Sequence, residues 1–268
     1  MATLLQVAAT VGRATLDAGI FVGAKIADGY RKIDPDVMRH LAHVSVLSYS
    51  LFASRREEID PGEDDGFPPL ILVHGMGGNP GTFLPMAWYL KLQGRKRSYK
   101  INFESGQSLD DMARALADFV SDVREATGQD SVEIVAHSLG GIIARLAMAE
   151  HGVDARVETL ITLGTPHKGT HAARFANTEL ARELRPDSEL MQRLAGIPWP
   201  EQVRGVSFWS HADLFMLPPD SAALEGTDQV DATPNTHYSY LIAPRAWVAV
   251  GQALQGIKPV FPVPSAQS

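Results

Sequence analysis

Cysteine is absent from all 268 residues, which excludes disulfides, thiolate metal sites and a cysteine nucleophile. Excess positive charge is absent too. With 24 Lys and Arg against 31 Asp and Glu, the net charge is −7, the wrong balance for a nucleic-acid partner. The densest basic run, Arg95-Lys96-Arg97, reads as a solvated loop ahead of a strand. Met1-Ala2-Thr3-Leu4-Leu5 lacks the basic start of a secretory leader, and Arg13 and Asp17 interrupt the apolar stretch behind it. No run reaches the roughly 18 uncharged apolar residues of a membrane span; the longest later one, 41–54, is shorter and contains His43. The expected location is therefore cytoplasmic or peripheral to a membrane, and non-classical export is compatible with the same absences. What remains is a chain that is 45% apolar, the composition of an ordinary globular domain with a substantial core.

The first fifty-odd residues differ from the rest. Leu4, Val7, Ala8 and Val11 lie at helical spacing, and Asp34-Pro35 restarts a helix carrying Met38, Leu41, Val44 and Leu51. This predicts a helical extension over 1–56, packed on the main domain or making peripheral contact with a lipid surface. An acidic, proline- and glycine-bearing linker, read as a solvated loop, follows over 57–67. From residue 68 to 257 strand and helix signals alternate, which predicts a parallel sheet wrapped by helices. Strands are expected at 70–73, 99–103, 131–135, 157–163 and 206–209, and helices at 80–92, after Ser108, at 139–150 and at 244–254. Residues 238–242 carry a weaker signal, and 258–268 form an extended tail.

Within this frame the most informative string is Ala136-His137-Ser138-Leu139-Gly140-Gly141, directly after the apolar run 132–135. It reads as a nucleophile on a tight strand-to-helix turn, where small neighbours let the backbone hold Oγ clear of the sheet. Alanine replaces the first glycine of G-x-S-x-G. A serine needs a base to take its proton and an acid to orient that base, and in this arrangement the chain order is serine, acid, histidine. Of the histidines after Ser138, His237 alone follows several acids and precedes a terminal helix. Asp213, just past the strand at 206–209, is the favoured acid; Asp220, Asp228 and Asp231 are rivals read as turn or loop residues, and His211 lies too near Asp213 to be the base. An oxyanion also needs amide donors. Leu139 follows the nucleophile, and His74-Gly75-Met76-Gly77-Gly78 is glycine-rich after the first domain strand, so the Met76 amide is the second donor.

Taken together, Leu72–Gly78, Ala136–Gly141 and Leu163-Gly164-Thr165-Pro166-His167-Lys168-Gly169-Thr170 resemble the bacterial triacylglycerol lipase and esterase family of α/β-hydrolases. Small lipases of that group share the alanine before the serine motif. The resemblance covers roughly 69–253 and implies an α/β fold with a mostly parallel central sheet flanked by helices. It implies Ser138 as nucleophile, Asp213 as acid, His237 as base, and Met76 and Leu139 as oxyanion donors. His74 would organise the oxyanion loop, with His74, Gly75, His137, Thr165, Pro166, Phe215 and Met216 lining the substrate. Larger lipases carry a disulfide and a calcium near the base; without cysteine, and with no acid after His237, neither is expected here. No metal and no cofactor is required.

The segment 171–200 is a candidate cap, with Phe175, Leu180, Leu184, Leu190, Met191 and Leu194 among its charges, and Leu214–Pro219 forms a second apolar strip. Apolar lining favours fatty-acyl esters as substrate. A phospholipase, thioesterase or acyltransferase would share every motif. A non-catalytic, hydrolase-like lipid-binding module is the alternative of a different class.

Overall fold

The computed structural model describes residues 59–104, 106–259 and 261. The extension expected over 1–56 lies outside them, as does most of the tail expected over 258–268. Four consecutive buried residues, Leu-Ile-Leu-Val, form β1 (Leu70–Val73), the pattern of a strand covered on both faces. It pairs in parallel with β2 (Ser98–Lys100) on one side and with β3 (Val132–His137) on the other. The sheet continues in parallel through β4 (Val157–Leu163), β5 (Arg204–Trp209) and β6 (Asp228–Asp231). The order β2-β1-β3-β4-β5-β6 reverses direction between β1 and β3. Ligand crevices of open α/β sheets form at such a switch point, beyond the carboxyl ends of the strands.

Side-chain alternation divides the core into two layers. Ile71, Val73, Ile134 and Ala136 face α2 (Leu109–Thr127) and α3 (Leu139–His151). Leu70, Leu72 and Val135 face α1 (Leu84–Leu92), α6 (Ser239–Ile242) and α7 (Pro244–Leu254). Local signals set the helix ends. Ser108 Oγ accepts the Asp111 amide at 3.1 Å at the start of α2, and Gly128 ends it in the left-handed conformation (φ 66°). Among the described residues, no helix is long and apolar enough to cross a membrane.

Several elements depart from the sequence expectations. The helix expected from Pro80 begins as a 3-10 turn, Pro80–Phe83, and becomes α1 at Leu84. The second strand stops at Lys100, and the weak 238–242 signal is the short helix α6. β6 was expected as loop: its sequence Asp-Gln-Val-Asp buries only Val230, as suits an edge strand. Within the candidate cap, α4 (Glu179–Glu183) and α5 (Glu189–Ala195) lie in a region whose Leu184, Leu190, Met191 and Leu194 belong to the α2/α3 core layer, while Phe175 is 60% exposed.

Within the basic run only Lys96 is exposed. Arg95 and Arg97 are buried. Arg97 Nη2 donates to Phe67 O at 2.6 Å and to Asp64 at 2.7 Å, and Asp65 Oδ2 accepts the Lys96 amide at 2.6 Å. The described part of the acidic linker is thereby pinned along the edge of the domain. Burial works to raise the Asp65 carboxyl, but the amides of Arg97, Lys96 and Phe67 outweigh it and hold it low. Arg95 donates to Glu133 within the sheet and to Leu254 O at 3.1 Å, with its guanidinium 4.4 Å above the Phe67 ring centre. Burial pushes Glu133 up to about 7 against the pull of Arg95. At pH 8, Arg95→Met removes the charge that holds Glu133 down, so the buried acid must take up a proton or stay charged without a partner, and the variant should lose about 3–5 kcal/mol in urea denaturation. Adding Glu133→Leu should recover most of the loss, and an unchanged urea midpoint in the single variant would contradict this account of the pair.

Candidate active site

β3 ends at His137, and Ser138 follows with φ 55° and ψ −124°, the one positive φ outside glycine among the described residues. Such a conformation costs on the order of 1–3 kcal/mol and needs surroundings that enforce it. Those surroundings are close. The Ser138 amide donates to Leu163 O at 2.9 Å, and its carbonyl accepts the Gly141 amide at 3.1 Å. A Cβ placed on Gly140 would lie 2.5 Å from Val73 O, and one on Gly75 would lie 2.8 Å from Ser138 Cβ. Glycine therefore lets the end of β1 press directly on the turn. Ala136, in the place of the first glycine of G-x-S-x-G, is fully buried in the strand and belongs to the α2/α3 layer.

The structure brings Ser138, His237 and Asp213 together. Ser138 Oγ lies 3.0 Å from His237 Nε2, and His237 Nδ1 lies 2.9 Å from Asp213 Oδ2. Asp213 Oδ1 accepts the Phe215 amide at 3.0 Å, so both carboxylate oxygens are engaged, and the residue is only 1% exposed. Ser138 is half-buried and His237 buried. Phe215 stacks on the His237 ring at 4.7 Å between centres, and Tyr238 meets it edge-on at 5.3 Å. Burial, with Asp213 nearby, pushes the Tyr238 hydroxyl up to about 12, so it stays protonated. Asp220, Asp228 and Asp231 take other places. Asp220 opens a 3-10 turn, Asp228 lies 3.7 Å from Arg204, and Asp231 accepts the Thr233 amide at 2.9 Å.

The loop after β1 is held by its own bonds. Gly75 O accepts His74 Nδ1–H at 3.0 Å and the Gly78 amide at 3.1 Å. Burial lowers the His74 pKa, so the ring is a neutral strut. Met76, at the crest of this loop, is 41% exposed, and Leu139 starts α3 directly behind Ser138.

Of the residues expected to line the substrate, Phe215 is half-buried and His74, Gly75, His137, Thr165, Pro166 and Met216 are buried. His137 donates Nε2–H to the His237 carbonyl at 2.8 Å. Thr165 is fully buried beneath α3, where a Cβ on Gly141 would come within 2.2 Å of its Oγ1. Pro166 is buried, and Met216 is 2% exposed. A motif string marks where the chain passes but not which way each side chain turns. Sequence reasoning also passed over the role of Gly164. At φ 56°, a Cβ there would stand 2.8 Å from Asp213 Oδ2 and 3.3 Å from His237 Nδ1. The signal was available, since a glycine at a strand exit often marks a close backbone approach.

The family model of the PGAP1-like alpha/beta domain matches residues 97–198, a span that contains Ser138 and ends before Asp213 and His237. A triacylglycerol lipase of Pseudarthrobacter phenanthrenivorans is 30% identical over 120 residues, covering 42% of this chain and 37% of that protein. The chain thus spans little more than a third of the length of this curated relative. The mature Bacillus licheniformis lipase BlEst2 superposes with a TM-score of 0.60 at 20% identity, over 74% of this chain and 95% of that one. Aspergillus fumigatus lipase B does so with a TM-score of 0.64 at 19% identity, over 77% of this chain and 56% of that one. The sheet, its switch point and these superpositions give the chain the α/β-hydrolase fold of these lipases.

Two buried histidines make a pH test of the packing. Burial holds His137 well below its ordinary value, with His237 nearby adding to the effect. Burial and then Arg145 do the same to His167, whose Nε2 lies 2.9 Å from Thr162 Oγ1. Each binds its proton in the unfolded chain first. Their stabilisation is therefore complete above the unfolded value near 6.5 and is lost as pH falls below it, by about 1.4 kcal/mol per pH unit for each group. Glu133 acts in the opposite sense between 4.5 and about 7. Denaturation of wild type and His167→Gln from pH 7.5 to 5 should show the shallower acid loss in the variant; equal slopes would contradict a neutral buried His167.

Proposed function

We propose that this protein hydrolyses carboxylic esters of fatty acids through a serine acyl-enzyme. The observation that carries this reading is the unbroken chain from Ser138 Oγ through His237 to Asp213, set on a strained turn at the switch point of the sheet. His237 Nε2 takes the Oγ proton as Oγ bonds to the ester carbonyl carbon, and the carbonyl electrons move onto its oxygen. The Met76 and Leu139 amides are the donors for that oxyanion, an interaction worth several kcal/mol in a site closed to water. As the tetrahedral intermediate collapses, the C–O bond to the alcohol breaks, and the alcohol leaves with the proton from Nε2. Water then repeats the sequence on the acyl-enzyme and releases the acid. Asp213 keeps Nδ1 protonated and offsets the imidazolium charge throughout.

Apolar side chains support an acyl substrate over a charged one. Met76 and Leu214 are 41% and 42% exposed, on the β1 loop and beside the proposed acid. Phe215, next to Leu214 in the chain, stacks on His237. Phospholipids, acyl thioesters and acyl acceptors other than water would use the same steps. A panel of p-nitrophenyl esters, triglyceride emulsion, phospholipid and acyl thioester ranks these substrates, and the simple ester of a medium or long acyl chain should be cleaved fastest.

Ser138→Ala should retain the fold by circular dichroism and lose at least 10³-fold in kcat for p-nitrophenyl esters; retained turnover would sink the assignment. Gly164→Ala forces a Cβ onto the Asp213–His237 contact at a positive φ. It should lower kcat roughly 10- to 100-fold with KM little changed, and wild-type kinetics in this variant would contradict the tight backing described for that pair.

A further inference from the structure

The residue before the proposed nucleophile touches the proposed base directly. His137 is the last residue of β3, its backbone carbonyl lies 3.0 Å from the position of a Cβ on Gly75, and its own side chain is buried. Its Nε2 meets the main-chain carbonyl of His237 at 2.8 Å. A carbonyl only accepts, so the nitrogen must carry the proton, which fixes the neutral ring in the Nε2–H tautomer. The ring centres of His137 and His237 are 4.7 Å apart, and Tyr238 lies 6.1 Å from the His137 ring. One side chain thus joins the end of β3 to the His237 loop, 100 positions away in sequence. The remainder of the His237 loop is tied elsewhere: the Asn235 amide bonds to Ala232 O, and the Ser239 amide to Thr236 O.

We infer that His137 is a positioning residue, a tether that sets the distance between Ser138 Oγ and His237 Nε2 by holding the backbone of His237 to the residue next to Ser138. This rests on the hydrolase reading of the site. The physical ground is the steepness of proton transfer with distance, since misplacing a reacting group by about 1 Å can cost 10²-fold in rate. Asp213 orients the His237 ring through Nδ1, and placing the imidazole also takes a restraint on the main chain of that residue. The bond from His137 supplies that second restraint, and no substrate contact is required of it.

The test is a pair of variants of nearly equal shape in the full chain. His137→Gln keeps an N–H that reaches the His237 carbonyl, and His137→Met fills similar space without a donor. With p-nitrophenyl butyrate, His137→Met should lose roughly 100-fold in kcat with KM within about twofold of wild type, and His137→Gln should recover most of that loss. Equal kcat in the two variants, or a loss confined to KM, would overturn the inference while leaving the hydrolase reading intact. If the wild-type protein cleaves no ester at all, the hydrolase reading falls and the tether falls with it. Should His137→Met fail to fold, histidine-labelled wild type still decides. A nitrogen-edited NMR spectrum should show His137 as the Nε2–H tautomer, and the Nδ1–H tautomer would contradict the bond on which the tether depends.

Discussion

The rest of the site depends on one steric constraint, the backbone of Ser138 held at φ 55° between β3 and α3. A residue with a side chain does not stay there unaided. It is held because the end of β1 lies against the turn so closely that Gly75 and Gly140 have no room for a Cβ, and because the Ser138 amide is bonded to the end of β4. Three neighbouring strand ends therefore converge on one residue. The reversal of strand order between β1 and β3 is what brings the glycine-rich loop to the serine rather than to another helix.

That convergence also explains why so many polar groups can be buried at this end of the sheet. Asp213 has both oxygens bonded, His237 both nitrogens, and His74 and His137 each donate to a carbonyl. Each of these bonds offsets the cost of burying the groups that it joins. Gly164 completes the packing by letting the backbone at the end of β4 lie directly behind the Asp213–His237 contact. The same logic operates at the opposite end of β3, where Glu133 is tolerated within the sheet because Arg95 reaches it.

Much of this was legible in the residues. The apolar runs at 70–73 and 157–163 became strands with those bounds, and 244–254 became the last helix. The chain order of Ser138, Asp213 and His237 picked out residues that the fold brings within hydrogen-bonding distance. β6 escaped because a single buried valine gives no alternation to read. Arg95 and Arg97 escaped because the acids that pair with them lie more than 30 positions away, on the linker and on β3. The side-chain directions of His137, Thr165, Pro166 and Met216 were not legible, because position in a motif does not encode them. His137 is the instructive case: a residue adjacent to the serine in sequence faces the backbone of the proposed base rather than a substrate.

The central claim is that this strained serine is the nucleophile of an ester hydrolase. The most direct measurement is reaction of the intact protein with a fluorophosphonate, followed by peptide mapping of the adduct. The account predicts a single adduct on Ser138, with esterase activity lost in step with labelling. An adduct on another residue, or activity that survives complete labelling of Ser138, would contradict it.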